Sequence, residues 1–212
     1  MRSLILFSVL TLGLASTTTA ADSHGVRMFV RHDVADYAAW RNGYDSVAAM
    51  QRSSGVTAQA VYQSTDNPND VTVTHDFKSL EKAKAFAASA DLKAAMQKAG
   101  VKGAPHIWFA MPTAGSSGTP GHVRMFVRHE VADYAAWRKV YDGGGAKMRR
   151  GGVTSQAVLQ SADNPNDVTV THDFKTVEKA KEFAASAELK ATMQSAGVKG
   201  TPQIWFTTRA AK

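Results

Sequence analysis

Cysteine is absent from all 212 residues, so neither disulfides nor thiolate chemistry is available to this chain. No HxH or HExxH spacing occurs either, and with isolated histidines in place of a ligand cluster the expectation is a protein without metal, haem or other cofactor. Its net charge of +7 is modest, and the lysines at 78, 82, 84, 93, 98 and 102 are interleaved with Glu81 and Asp91. That pattern describes a solvated helix face and lacks the dense basic stripe that nucleic acid requires. An apolar run long enough to span a bilayer is missing as well. The longest, Leu4 to Leu14, follows the single cation Arg2 and precedes Ser16-Thr17-Thr18-Thr19-Ala20-Ala21, the pattern of a cleaved secretory signal. The expected mature chain is secreted or periplasmic and free of the membrane. Setting Arg2 aside leaves it 24 basic against 18 acidic side chains.

What is present is a duplication. Residues 26–109 recur at 123–206 with a constant offset of 97, no gap, and identity at 63 of 84 positions. The period is too long for a solenoid unit, so each copy is read as a domain with its own core. The expected organisation is a signal peptide over 1–21, a first repeat over 25–111, a linker over 112–121 rich in Gly, Ser and Pro, and a second repeat over 122–208.

Within a copy, Val26 to His32 alternates as a strand. Asp33 or Asp36 can cap a following helix whose Tyr37, Trp40, Tyr44, Val47 and Met50 form one stripe before Gly55. Thr57 to Ser64 and Val71 to Phe77 read as strands around the turn Asp66-Asn67-Pro68-Asn69-Asp70. A second helix opens at Ser79 and stops at Gly100, and Pro105 to Ala110 is the last strand. The order β-α-β-β-α-β is the ferredoxin-like arrangement, an α+β fold with sheet order 4-1-3-2, here present twice. The sheet face carrying Arg27, Arg31, Gln59, Gln63, Thr72, Thr74 and Asp76 also carries Phe29 and Trp108. It is too aromatic for free surface and too polar for an ordinary core, which implies that the second copy covers it and that the chain is a monomer.

The pattern His32-x-Val34-x-Asp36-Tyr37-x-x-Trp40, with Tyr44-Asp45, Asp66-Asn67-Pro68-Asn69, Phe77-x-x-Leu80-Glu81-x-Ala83 and Ala99-Gly100-Val101, resembles the antibiotic biosynthesis monooxygenase-like, or cyclase-like, dimeric α/β-barrel proteins. The resemblance covers nearly the whole of each repeat. It implies two ferredoxin-like repeats forming within one chain the barrel that such proteins build by dimerising. It speaks less to activity, because the group spans cofactor-free oxygenases, cyclases, haem-degrading enzymes and isomerases. The Asn/Trp/His set of the haem-degrading members has no match here.

Adjacent pairs such as His75-Asp76 cannot form a dyad, since neighbours on a strand face opposite ways. A register placing Val26 opposite Phe77 puts Arg27 beside Asp76 as an ion pair and separates His32 from His75 by about 13 Å. His32 reads as a helix-entry residue near Asp36. His75 lies on the apolar face of its strand, beneath Trp40 and Tyr44. The candidate catalytic residues are therefore His75 and its copy His172, and the candidate substrate-binding residues are Trp40, Tyr44 and Met28 with Trp137, Tyr141 and Met125. A neutral histidine between a Trp and a Tyr can take a proton from a phenol or carbon acid. The plainer reading of the same residues is a hydrogen-bonded core. Three function classes follow: a cofactor-free monooxygenase, cyclase or isomerase; a binder of a small hydrophobic or aromatic molecule; and a structural or stress-associated module. The copies differ at Ser46-Val47-Ala48, which becomes Gly143-Gly144-Gly145, at Tyr62/Leu159 and at His106/Gln203. Each glycine costs a helix interior about 1 kcal/mol, so the first helix of the second copy is expected to break early.

Overall fold

A computed structural model describes residues 25–210; the expected signal peptide lies outside the described residues. The first half runs β1 (Val26–Val34), α1 (Tyr37–Ser46), α2 (Ala48–Ser53), β2 (Ala58–Ser64), β3 (Asp70–Phe77), α3 (Leu80–Ala87), α4 (Ala90–Lys98) and β4 (Val101–Pro112). A two-residue strand β5 (Ser117–Gly118) precedes the second half: β6 (Val123–Val131), α5 (Tyr134–Gly143), α6 (Gly145–Arg150), β7 (Ser155–Ser161), β8 (Asp167–Phe174), α7 (Val177–Ala185), α8 (Ala187–Ser195) and β9 (Val198–Arg209). No helix among the described residues is long and apolar enough to cross a membrane.

All strands join one sheet in the order β4-β1-β3-β2-β9-β6-β8-β7-β5, and a further pairing of β4 with β7 closes the eight long strands into a ring. Within the first half the order is the expected 4-1-3-2. The β1–β3 register sets Val26 opposite Phe77, Arg27 opposite Asp76 and Met28 opposite His75, and β6–β8 repeats it with Val123 opposite Phe174. Alternation then sorts the side chains. Val26, Met28, Val30, Val71, Val73 and Phe77 face the helices and pack with Trp40, Phe86 and Leu92. Phe29, Tyr62, Trp108, Phe126, Leu159 and Trp205 face inward and fill the centre of the ring. Phe29 stacks on Trp108 at 4.9 Å, Phe126 on Trp205 at 5.1 Å, and the two indoles meet edge to face at 6.2 Å. The half-polar sheet face is thus covered by the other half.

Three local expectations are revised. The helix after β1 does not run unbroken to Met50: it is interrupted at Val47 in the first half and at Gly144 in the second, each with backbone angles outside the regular helix or at its end. Since Val47 and Gly144 are equivalent positions, the break belongs to the fold, and the Gly143-Gly144-Gly145 run tolerates it without causing it. The long second helix is likewise two helices, because Ser89 leaves the first and caps the next by accepting from the Leu92 N–H at 3.2 Å. The last strand begins at Val101, four residues before Pro105, since the β1–β4 register shifts between Arg31 and Asp33 and Gly103 takes φ +64° there.

Candidate functional site

The Asp36 carboxylate accepts from the Ala39 N–H at 2.8 Å and so fixes where α1 begins. Four residues apart, Trp40 and Tyr44 then share the face turned to the sheet and stack at 5.2 Å. Alternation along β3 turns His75 toward them. The Tyr44 hydroxyl lies 3.2 Å from His75 Nε2, and the Phe86 ring stands edge-on to the imidazole at 5.5 Å. In the second half the Tyr141 hydroxyl lies 3.1 Å from His172 Nε2 and also donates to Gln156 Oε1 at 3.4 Å. A phenol has one proton to give. When it goes to Gln156, His172 carries its proton on Nε2, and Nδ1 is left as an acceptor. That Nδ1, like the Nδ1 of His75, is buried with no partner among the described residues.

Burial pushes His75 and His172 down to about 4, with the carboxylate of Asp76 opposing the shift in the first case and His129 adding to it in the second. Burial also raises Tyr44 and Tyr141 well above the usual phenol range. Both pairs are therefore uncharged at neutral pH and present hydrogen-bonding groups, not ions.

The space around the two pairs differs sharply. In the first half a cavity of about 40 Å³ lies among Trp40, Tyr44, His75, His32, Gln51 and Met96, room for about one to three water molecules. Its counterpart in the second half, near Trp137, Tyr141, His172 and Met125, measures about 50 Å³. A chamber of about 330 Å³ adjoins it between α6, α7 and α8, with Tyr141, His172, Met148, Phe183 and Leu189 along it and Lys147, Arg150 and Lys179 at its rim. That volume falls in the range of small-molecule sites. Met28 is fully buried and is not among the residues bounding the first-half cavity, whereas Met125 bounds its counterpart.

The structure also places the other titratable sequence candidates. Arg27 forms a bidentate pair with Asp76 at 2.6 and 2.8 Å, away from His75. His32 packs on Trp40 at 5.6 Å, with both ring nitrogens unpartnered, and Asp36 serves the helix cap instead of this ring. A polar cavity of about 480 Å³ at one end of the ring is bounded by His106, Gln203, Arg31 and Arg128. Its arginines are already occupied: each pairs with an aspartate of its own half and lies over a tryptophan of the other. Sequence reasoning missed the chamber residues Lys147, Met148, Arg150, Gly151, Glu182 and Thr192. Their signal was available, since each stands where the first copy has a different residue: Met50, Gln51, Ser53, Ser54, Ala85 and Ala95.

No family model and no curated protein matches this chain. Solved structures share its fold. An anthrone oxidase-like protein superposes with a TM-score of 0.66 at 11% identity, covering 90% of this chain and 93% of that one. A provisionally named monooxygenase from Fusobacterium nucleatum gives 0.61 at 7% identity over 89% and 93% of the chains. A chlorite dismutase variant from Candidatus Nitrospira defluvii gives 0.52 at 9% identity over 88% and 92%. At these identities the likeness is one of fold.

Proposed function

We propose that this is an exported protein that holds a small hydrophobic or aromatic molecule between helices and sheet. In this reading each half corresponds to one subunit of a dimeric α/β barrel, joined by the linker over 112–121, and the chain acts as a monomer. The observation that carries the ligand reading is the Tyr141–His172 pair, 3.1 Å apart, at the wall of a chamber of about 330 Å³. The rings of Tyr141 and Phe183 offer a ligand apolar walls, and the Tyr141 hydroxyl beside His172 offers a hydrogen-bonding group to its hydroxyl or N–H.

Recognition is favoured over catalysis by the charge state of the pair. A histidine near 4 is a weak base at neutral pH, and the tyrosine is a still weaker acid. The enzyme reading, a cofactor-independent monooxygenase or cyclase, rests on the oxidase-like and monooxygenase names of the structural neighbours. Anthrone is a fitting probe for both. Oxidation by dioxygen gives anthraquinone and one water, so an oxygen electrode reports turnover while quenching of tryptophan fluorescence reports binding. Quenching without oxygen uptake supports the binder, and uptake lost in His172→Gln establishes the enzyme. Neither signal with anthrone, nor with the naphthalene probes used below, would leave the structural-module reading. Mass spectrometry of the exported chain reads the expected processing after Ala20 or Ala21.

A further inference from the structure

The two halves share their pocket aromatics and differ in what surrounds them. Phe86, Leu92 and Tyr44 are buried in the first half, while the identical residues Phe183, Leu189 and Tyr141 are each more exposed in the second. One small residue accounts for part of the difference. Gly151 lies against the Phe183 ring so closely that a Cβ there would collide with it. The first copy has Ser54 at the equivalent position, and Phe86 sits further in. The short α6 changes the charge: Met50 is replaced by Lys147 and Ser53 by Arg150, which puts two cations at the chamber rim that the first half lacks. Of the rim cations, Lys179 pairs with Glu182 at 2.7 Å and Lys147 lies 3.6 Å from Glu188, whereas Arg150 forms no ion pair among the described residues.

Building on the small-molecule reading above, we infer that the halves have divided the work: the first keeps its Tyr44–His75 pair closed off from the hollow of about 310 Å³ beside Leu92 and Met96, and the second holds a single amphipathic ligand, an aromatic or hydrophobic body bearing one anionic group. The body lies against Phe183, Met148 and Leu189 with its inner end at His172. Its anion meets Arg150 and Lys147 at the rim, where charge-assisted hydrogen bonds reward a carboxylate or sulfonate. One chain therefore binds one ligand, although its sequence repeats the histidine, tyrosine and tryptophan of the site twice.

The duplication supplies mild test variants, because each borrows the residue that the sister half already uses. Two probes share one aromatic skeleton: 8-anilinonaphthalene-1-sulfonate is anionic, and N-phenyl-1-naphthylamine is neutral. Fluorescence titration and calorimetry of the full mature chain should give one sulfonate probe per chain, bound at least tenfold more tightly than the neutral one. Gly151→Ser should weaken both probes at least tenfold by pressing Phe183 inward. Lys147→Met with Arg150→Ser should weaken the sulfonate alone, bringing the two affinities together. Far-UV circular dichroism confirms that each variant folds. Two sulfonate probes per chain, or one that is insensitive to Gly151→Ser, would overturn the division between halves and leave the small-molecule reading standing. Equal affinities in the unaltered chain would overturn the anionic class, and failure of both probes and of anthrone would remove the small-molecule reading itself.

Discussion

Trp205 donates its indole N–H to the Thr72 hydroxyl of the opposite half at 3.0 Å. Trp108 makes the reciprocal bond to Thr169, also at 3.0 Å. These paired bonds lie in the aromatic centre of the ring, where both threonines are buried and no solvent can substitute for a lost donor. They tie the two halves together across the ring at equivalent positions.

Trp205→Phe should accordingly destabilise the chain by about 1–3 kcal/mol, leaving the Thr72 hydroxyl unpaired and part of the stacking with Phe126 lost. Combining it with Thr72→Val should recover part of that loss, because both partners are then apolar. Urea unfolding of the two single variants and the double variant measures the coupling directly.

The equivalent ion pairs should differ in worth. Arg124–Asp173 and Arg27–Asp76 have the same 2.6 Å geometry, yet the Asp173 side chain is 2% exposed and that of Asp76 31%. Arg124 also donates to the Tyr62 hydroxyl at 2.6 Å, an acceptor the other half replaces with Leu159. Asp173→Asn should thus cost about 3 kcal/mol, because water cannot replace the charge-assisted bonds lost at a buried side chain, and Asp76→Asn about 1 kcal/mol or less. Equal losses would show that burial does not distinguish the pairs.

Acid should unfold the protein through its buried histidines. His32, His75, His129 and His172 are each lowered from 6.5 to about 4, chiefly by burial. Below pH 6.5 the unfolded chain takes up protons that the folded chain refuses until about pH 4, so stability is full above pH 6.5 and falls as pH drops through that window. Each histidine contributes a slope of up to about 1.4 kcal/mol per pH unit. Urea midpoints at pH 7, 6 and 5 should decline steeply, and His75→Gln should make the decline shallower. A flat profile over that range would contradict the burial of these rings.

The chain should be a monomer in solution. Phe29, Trp108, Phe126 and Trp205, which a single half would expose, are buried against each other, and Lys84–Asp163 and Lys181–Asp66 link the halves symmetrically at the surface. Light scattering should return one chain's mass. A stable dimer would show that the linker permits exchange of halves between chains.

Much of this fold was legible in the sequence because its determinants are periodic. Period-two alternation identified the strands, and the register with Val26 opposite Phe77 placed Arg27 opposite Asp76, as the structure has them. The same alternation put His75 under Trp40 and Tyr44, since strand and helix periods together dictate which residues meet. The duplication then carried every such placement to the second half. What the sequence could not convey was volume. Whether Tyr141 and His172 border a small cavity or a ligand-sized chamber depends on side chains such as Phe183, whose ring rests where a Cβ on Gly151 would collide with it. The break at Val47 and Gly144 likewise recurs at equivalent positions, in one half at a residue with no helix-breaking character. Periodicity reports which side of an element is buried, whereas the space left between elements is set by side chains distant in sequence, and only the tertiary structure brings those together.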